Sequence, residues 1–406
     1  MNNKRSFITI LVLLLVIAVI MIIKSNQRQY VILVSMDAFR WDYSQIYDTP
    51  NLDRIARKGV KAGSLIPAYP SKTFPNHYSI ATGLYPDHHG IISNTFYAPD
   101  LGLLYRIGDR AMVENGDFYG GEPIWTTVEK NGLIAASMFW VGSEAPVNGH
   151  QPTYWSIYDE NISYSARLDS VINWLSLPKK KRPGFITLYF DEPDGTSHDY
   201  GPVSGETDSI VQYMDGIIGD LYGRLMELPA GKKINLLVVS DHGMGEVSGD
   251  RTINLLDIIP EGMVEYYTGG SPVVFIDPVD EFRDSLLAIL ENSPHIKVWT
   301  GETLPGHYHF GTHSRIPEII IEADSSWSII RSDREDYYMS SKGTHGYDPR
   351  NTDMHGIFYA LGPAFRKDYE SGSFYNIDIY NLICNILKIK PAKNDGNQER
   401  IESLLK

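Results

Sequence analysis

The sequence holds a single cysteine, Cys384, among 406 residues. One thiol excludes an internal disulfide, and its place in the apolar stretch 377–389 gives it the role of a small buried hydrophobe. It also lies too far along the chain to be an N-terminal lipid-attachment site. Positive charge is scarce too: 36 Lys and Arg stand against 50 Asp and Glu, a net charge of −14. That balance argues against a specific partnership with polymeric nucleic acid, because phosphate contacts need cations. Any phosphate chemistry must then draw on local positive charge, which bound metal supplies. The chain has no internal repeat and no low-complexity tract. What it has is 43% hydrophobic residues, enough for a sizeable core in one large domain with an insertion.

One long apolar run occurs, residues 7–23, interrupted only by Thr9, preceded by Lys4-Arg5 and closed by Lys24. It has the length of a short membrane-spanning helix. Ser25-Asn26-Gln27 offers no small-x-small cleavage site, so an uncleaved anchor is preferred to a cleaved signal peptide, and a buried core helix comes third. Either of the first two exports residues from about 28 onward. Export without disulfides points to the periplasmic side of a bacterial envelope rather than to an animal secretion. The expected organisation is an anchor or signal segment over 1–28, a folded domain over 29–395 and a polar, frayed tail over 396–406.

Within the domain, apolar runs of strand length alternate with segments of helical period. Strands are expected at 31–36, 135–140, 185–190, 234–240, 272–276, 318–321 and 356–361. Several are continuous Val, Ile, Leu and Phe, the pattern of parallel strands buried on both faces. Helices are expected at 51–58, 168–175, 208–228 and 376–387, the third with Ile210, Met214, Ile217, Leu221 and Leu225 on one stripe. The alternation predicts an α/β fold with a mainly parallel sheet flanked by helices. Between about 245 and 327 the rhythm changes to short strands and turn-rich pieces, read as a smaller inserted subdomain.

Three of the predicted strands end in carboxylates: Asp37, the group Asp191-Glu192-Pro193-Asp194, and Asp241 with His242 beside it. His198 follows Asp194 by four residues, and His345 lies in Gly343-Thr344-His345-Gly346. Open α/β sheets place their sites at the carboxyl ends of strands. Asp and His converging there can hold divalent metal, which predicts a two-metal hydrolase. Gly243 permits a tight turn after His242, and Asp194 and His198 share a face if their loop is helical. Taken alone, Asp37 has a helix cap as its second reading. The run Pro70-Ser71-Lys72-Thr73-Phe74 offers a hydroxyl nucleophile at Ser71 or Thr73, which a metal can activate. A helix start follows it, and a helix N-terminus favours an anionic group.

Val34-Ser35-Met36-Asp37, Lys72-Thr73-Phe74-Pro75-Asn76-His77-Tyr78, the run from Gly83 to Ile91, Gly121-Glu122-Pro123-Ile124-Trp125, Glu192-Pro193-Asp194, Ser240-Asp241-His242-Gly243-Met244 and Gly343-Thr344-His345-Gly346-Tyr347-Asp348 resemble, in order, the nucleotide pyrophosphatase/phosphodiesterase family of the alkaline phosphatase superfamily. The match runs from about 30 to 390 and looks like a bare catalytic domain of bacterial type. The resemblance implies an alkaline-phosphatase-like fold and two zinc ions. It makes Thr73 the nucleophile. One zinc would be held by Asp194, His198 and His345, the other by Asp37, Asp241 and His242 with Thr73 Oγ. It gives Asn94 a donor role to a phosphoryl oxygen, with Asn76 second, and makes Phe74, Tyr158 and Tyr189 a slot for a nucleotide base. Where the family often has glutamate, this chain has Asp191.

The implied substrate is a small nucleotide, cleaved at a phosphodiester or pyrophosphate bond to release a nucleoside 5′-monophosphate. Phosphodiesterases of choline-type phospholipid headgroups, and phosphomonoesterases or phosphonate hydrolases on the same metal core, are the alternatives, and a non-catalytic anchored binding protein is a third. Aromatic residues can also cage a quaternary ammonium. Monoester specialists need a cation facing the extra phosphate charge, and Lys72 is the one cation in the motifs that qualifies. His307, His309 and His313 are spaced for a further metal site but read as ordinary loop or strand histidines.

Overall fold

The computed structural model describes residues 28–331 and 340–406. Its centre is an eight-stranded sheet of β1 (Tyr30–Met36), β2 (Val60–Ala62), β3 (Ala135–Met138), β4 (Tyr154–Trp155), β5 (Phe185–Phe190), β6 (Ile234–Val239), β11 (Phe358–Leu361) and β12 (Tyr369–Ser371). The spatial order is β12-β2-β11-β6-β1-β5-β3-β4. Parallel pairing joins β6-β1-β5-β3-β4, and only β11 runs antiparallel to its two neighbours. The expected α/β fold with a mainly parallel sheet is therefore the observed one.

β1 shows why these runs are strands. Successive side chains leave a strand on opposite faces. Val31 and Leu33 enter the core on one face, while Tyr30, Ile32, Val34 and Met36 enter the core on the other. All seven residues are buried. A strand buried at every position, and apolar at all of them but Ser35, can sit only between two covering layers. Each such aliphatic side chain contributes roughly 1.5–3 kcal/mol on burial.

The covering helices are α1 (Pro50–Lys58), α2 (Thr73–Thr82), α3 (Tyr164–Ser176), α4 (Asp194–Tyr200), α5 (Gly205–Glu227) and α6 (Asp378–Leu387). Pro50 opens α1, where its missing N–H costs nothing. Ser163 and Ser204 cap α3 and α5 by accepting from Ala166 N and Thr207 N at 3.3 and 3.1 Å. These caps set starts several residues before the expected ones. The buried seam of α5 is Val211, Met214, Ile218, Leu221 and Leu225; Ile210 and Ile217 of the expected stripe lie only partly buried beside it. Both stripes fit a 3.6-residue period, and the packing against α1 selects between them.

The expected strands at 272–276 and 318–321 belong to a separate antiparallel sheet, β7 (Val264–Gly270), β8 (Val273–Pro278), β9 (Ile296–Thr300) and β10 (Ile319–Ala323), in the order β7-β8-β10-β9. The expectation of a frayed end fails: Ile401 and Leu404 are fully buried, Asn397 N donates to Asp378 Oδ1 at 2.7 Å, and Leu405 bridges Phe365. Two apolar residues three apart pin a segment that its average polarity does not. Cys384 is buried in α6. Among the described residues no helix is long and apolar enough to cross a membrane; the run at 7–23 lies outside the described residues.

Candidate active site

β1, β5 and β6 are neighbours, so the residues that follow their carboxyl ends meet. Asp37 follows β1, Asp194 opens α4 just past β5, and Asp241-His242 follow β6. α4 is a true helix, so Asp194 and His198 share a face at i,i+4. The short strand Gly343–Thr344 pairs with Gly245–Glu246 and delivers His345 to the same place. Gly243 serves by close approach rather than by an unusual dihedral: a Cβ there would lie 2.2 Å from the Asp353 carbonyl oxygen.

His198 Nε2 and His345 Nε2 each lie 3.5 Å from Asp194 Oδ1. His242 Nε2 lies 3.5 Å from Asp37 Oδ1 and 3.1 Å from Asp241 Oδ2. These three carboxylate oxygens have no hydrogen-bond partner. The three imidazoles are oriented from behind: Nδ1 of His198, His345 and His242 bonds the carbonyls of Gly343, Ser71 and Gly243 at 2.7, 2.8 and 2.9 Å. A carbonyl only accepts, so each Nδ1 carries the proton and each Nε2 keeps its lone pair for the cavity. Bonds of 2.0–2.1 Å at a tetrahedral metal put ligand atoms about 3.3 Å apart. The observed 3.1–3.5 Å separations fit that edge.

The electrostatics are those of a site short of positive charge. Burial, then the charges of Asp241 and Asp194, push the Asp37 carboxyl well above the usual range. Burial would raise Asp241 as well, but His242 and His77 beside it hold it down. Burial also lowers His345 and His242, which keeps them neutral and able to ligate. Desolvation pushes the half-buried Lys72 down to about 7 against the opposing charge of Asp194; its Nζ donates to the Ser271 carbonyl at 2.5 Å.

Thr73 is the first residue of α2, and its Oγ1 lies 3.3 Å from His242 Nε2. Ser71 is fully buried and donates to the Tyr347 carbonyl at 2.7 Å, which removes it from the two hydroxyls. Asn94 Oδ1 accepts from Phe74 N at 2.9 Å, which leaves its NH₂ free. Asn76 is fully buried, and its side chain ties Ala68 N to the Pro70 and Lys72 carbonyls at 2.7–2.9 Å. Lys72, Asn94, His198 and His345 line a cavity of about 260 Å³. It shares Thr95, Gly269, Gly270 and Ser271 with a larger one of about 880 Å³ that carries Arg106 and Arg331.

The aromatic residues divide. Tyr158 and Tyr189 have ring centroids 6.1 Å apart, and Phe74 meets Tyr105 edge-on at 6.2 Å. Tyr189 does more than offer a face, because its hydroxyl donates to Asp37 Oδ2 at 2.7 Å. Asp191 accepts from the buried Arg167 Nη1 at 2.9 Å, away from the histidines. His307, His309 and His313 disperse to Asp348, to the ring of Tyr85 and to the Arg315 backbone N–H.

One site residue went unread. His77 is fully buried, and its Nε2 meets Ser35 Oγ at 2.9 Å. Its Nδ1 proton points to the Thr73 carbonyl at 3.0 Å, so the 3.2 Å approach to Asp241 Oδ2 is an ion-pair distance. Its place four residues after Thr73, on the same helical face, was the available signal.

The family model for type I phosphodiesterase/nucleotide pyrophosphatase matches residues 31–348. A venom phosphodiesterase of Crotalus durissus collilineatus is 39% identical over 390 residues, covering 94% of this chain and 47% of its own length. Human ectonucleotide pyrophosphatase/phosphodiesterase family member 1 is 35% identical over 390 residues, with 92% and 42% covered. The chain thus spans about half the length of these relatives. The solved structure of murine ectonucleotide pyrophosphatase/phosphodiesterase 5, in an inactive threonine-to-alanine form in complex with AMP, superposes with a TM-score of 0.89 at 31% identity. It covers 93% of this chain and 100% of that one.

Proposed function

The chain belongs to the type I phosphodiesterase/nucleotide pyrophosphatase family, and from that premise we propose that it hydrolyses nucleotide phosphodiester or pyrophosphate bonds, releases nucleoside 5′-monophosphates, and uses Thr73 as nucleophile beside two zinc ions. The observation that carries this reading is the cluster of three orphaned carboxylate oxygens and three imidazole Nε2 atoms, one of which, His242 Nε2, lies 3.3 Å from the Thr73 hydroxyl. Asp194, His198 and His345 would hold one ion; Asp37, Asp241, His242 and Thr73 Oγ1 would hold the other. When bound, the ions supply a lowered hydroxyl pKa and positive charge against the phosphoryl oxygens.

Thr73 Oγ1 attacks phosphorus in line. The bond from phosphorus to the leaving oxygen breaks, the leaving group departs with the electron pair, and the proton of the Thr73 hydroxyl is released to solvent. Water then cleaves the Thr73-linked ester, frees the 5′-monophosphate and restores the hydroxyl. The Asn94 NH₂, free because its Oδ1 is engaged, donates to a phosphoryl oxygen. The N-terminus of α2 adds its positive end. Phe74, Tyr158 and Tyr189 take the base by stacking, worth roughly 1–3 kcal/mol per base. The larger cavity with Arg106 and Arg331 has room for an anionic leaving group. The murine neighbour supports the reading twice, through its bound AMP and its inactivation by loss of a threonine. Residues 7–23 anchor the protein in the membrane of a bacterial envelope, with the domain on the periplasmic side.

The test is a substrate panel on the purified protein: the nitrophenyl ester of thymidine 5′-monophosphate, nitrophenyl phosphate and nitrophenyl phosphocholine, each with and without chelator. The thymidine ester is expected to be fastest and chelator to abolish its turnover. Preference for the monoester or for phosphocholine would overturn the substrate assignment.

A further inference from the structure

The amino ends of the same three strands carry the opposite chemistry. β5 is entered through Lys179-Lys180-Lys181-Arg182, β6 through Lys232-Lys233, and β1 through Arg28. Because β6, β1 and β5 lie side by side in parallel, their three entry segments fall on one face of the molecule. Segments 28–30, 178–184 and 228–234 hold these seven cations and no acidic residue, in a chain of net charge −14. Lys179, Lys180, Lys181, Lys232 and Lys233 are exposed. Among the described residues none of the seven pairs with a carboxylate. Arg28 Nη2 and Arg182 Nε instead donate to the Arg182 and Leu177 carbonyls at 3.3 and 3.1 Å. Arg28, Lys179, Arg182 and Lys233 surround a hollow of about 140 Å³.

This face is also where the chain enters from the apolar run. Ile23 closes that run, and five residue steps separate it from Arg28. Extended chain covers at most about 3.6 Å per residue, so the tether is no longer than about 18 Å. At physiological ionic strength the Debye length is about 8 Å, so cations held this close to a bilayer feel its surface charge.

We infer that the face formed by Arg28, Lys179–Arg182 and Lys232-Lys233 docks on the headgroups of anionic phospholipid. Docking there turns the carboxyl ends of the strands, and the metal-ligand cluster, away from the bilayer toward solvent. β1 has seven residues at about 3.3 Å rise, which holds the two ends about 20 Å apart. The inference rests on the reading of residues 7–23 as an anchor, and the experiment separates the two.

The full-length protein is reconstituted into vesicles of phosphatidylcholine alone, or with about 30% phosphatidylglycerol, and amide hydrogen exchange is followed over 176–184 and 228–235. Flotation with neutral vesicles in about 1 M salt reports the anchor by itself, since salt removes the electrostatic part. Exchange in both segments is expected to slow about five-fold on anionic vesicles only, and to recover at high salt. Lys180→Glu/Lys181→Glu/Lys232→Glu/Lys233→Glu is expected to erase the difference while turnover of the thymidine ester stays unchanged. Equal exchange on the two vesicles, or slowing that survives high salt, would overturn the docking face even if the anchor holds. Slowing by an oligonucleotide on neutral vesicles, with none from phosphatidylglycerol, would assign the face to nucleic acid instead.

Discussion

At the carboxyl ends of β1, β5 and β6, Asp37 is packed within reach of both Asp194 and Asp241, with three imidazoles beside them. At the amino ends of the same strands, seven cations, five of them exposed lysines, stand without carboxylate partners among the described residues. One end crowds like charge in a buried pocket, where it is costly unless a cation joins it. The other spreads like charge over an exposed face, where water and salt screen it. The contrast shows that the acidic balance of the whole chain describes neither end. It also says which changes should be drastic and which should be silent.

The largest effect is expected at the crowded end. Thr73→Ala should lower turnover of the thymidine ester by at least about 10³-fold while zinc content, read by mass spectrometry of the metal, stays near two per chain. Asp194→Asn or His345→Ala should lose both zinc and turnover, which separates the Asp and His ligands, needed to hold the ions, from Thr73, whose three fellow ligands suffice to hold its ion. Next comes His77, which touches no substrate and holds Asp241 and the Thr73 carbonyl from behind. His77→Ala should weaken zinc binding about 10–100-fold, and added zinc should restore much of the rate. A structural loss of fold would not be restored that way.

pH gives a third effect of known sign. The folded, metal-free protein holds the Asp37 proton more tightly than an unfolded chain does. Stability from that group is present in acid and is lost as pH rises through the raised pKa. Metal-free protein should therefore melt higher as Asp37→Asn at neutral pH, by on the order of 1–3 kcal/mol, although the variant is inactive. In the loaded protein, protons and metal compete for the same oxygens. Zinc should leave at a higher pH than from isolated aspartates, as measured by dialysis across an acid series. The smallest effect is expected at the other end, where the four-lysine reversal should leave turnover in neutral vesicles unchanged.

The sequence shows the meeting of acids and histidines more fully than the fold boundaries. A carboxylate after an apolar run can be read directly, and parallel pairing does the rest. The i,i+4 relation of Asp194 and His198 is visible once a helix is assumed. Other features depend on contacts that no local pattern encodes. His77 looks like an ordinary helix residue until Ser35 and Asp241 are seen around it. The second role of Tyr189 needs the register of β5 against β1, which sets Tyr189 opposite Ser35 two residues before Asp37. The seam of α5 keeps Met214, Leu221 and Leu225 but takes Val211 and Ile218 in place of Ile210 and Ile217, a choice made by packing and not by period. Burial at the C-terminus rests on Ile401 and Leu404 alone, too few to shift an average. The lysine run at 179–182 is plain in the sequence, but its meeting with Arg28 and Lys232-Lys233 follows only from strand order.

The central claim is that Thr73 is the group that attacks phosphorus. Acid quench during turnover of the thymidine ester, followed by peptide mass mapping, tests it most directly. The account predicts a thymidine-monophosphate adduct on the peptide holding Thr73, absent from Thr73→Ala. An adduct on another residue, or parent-like turnover by Thr73→Ala, would contradict it.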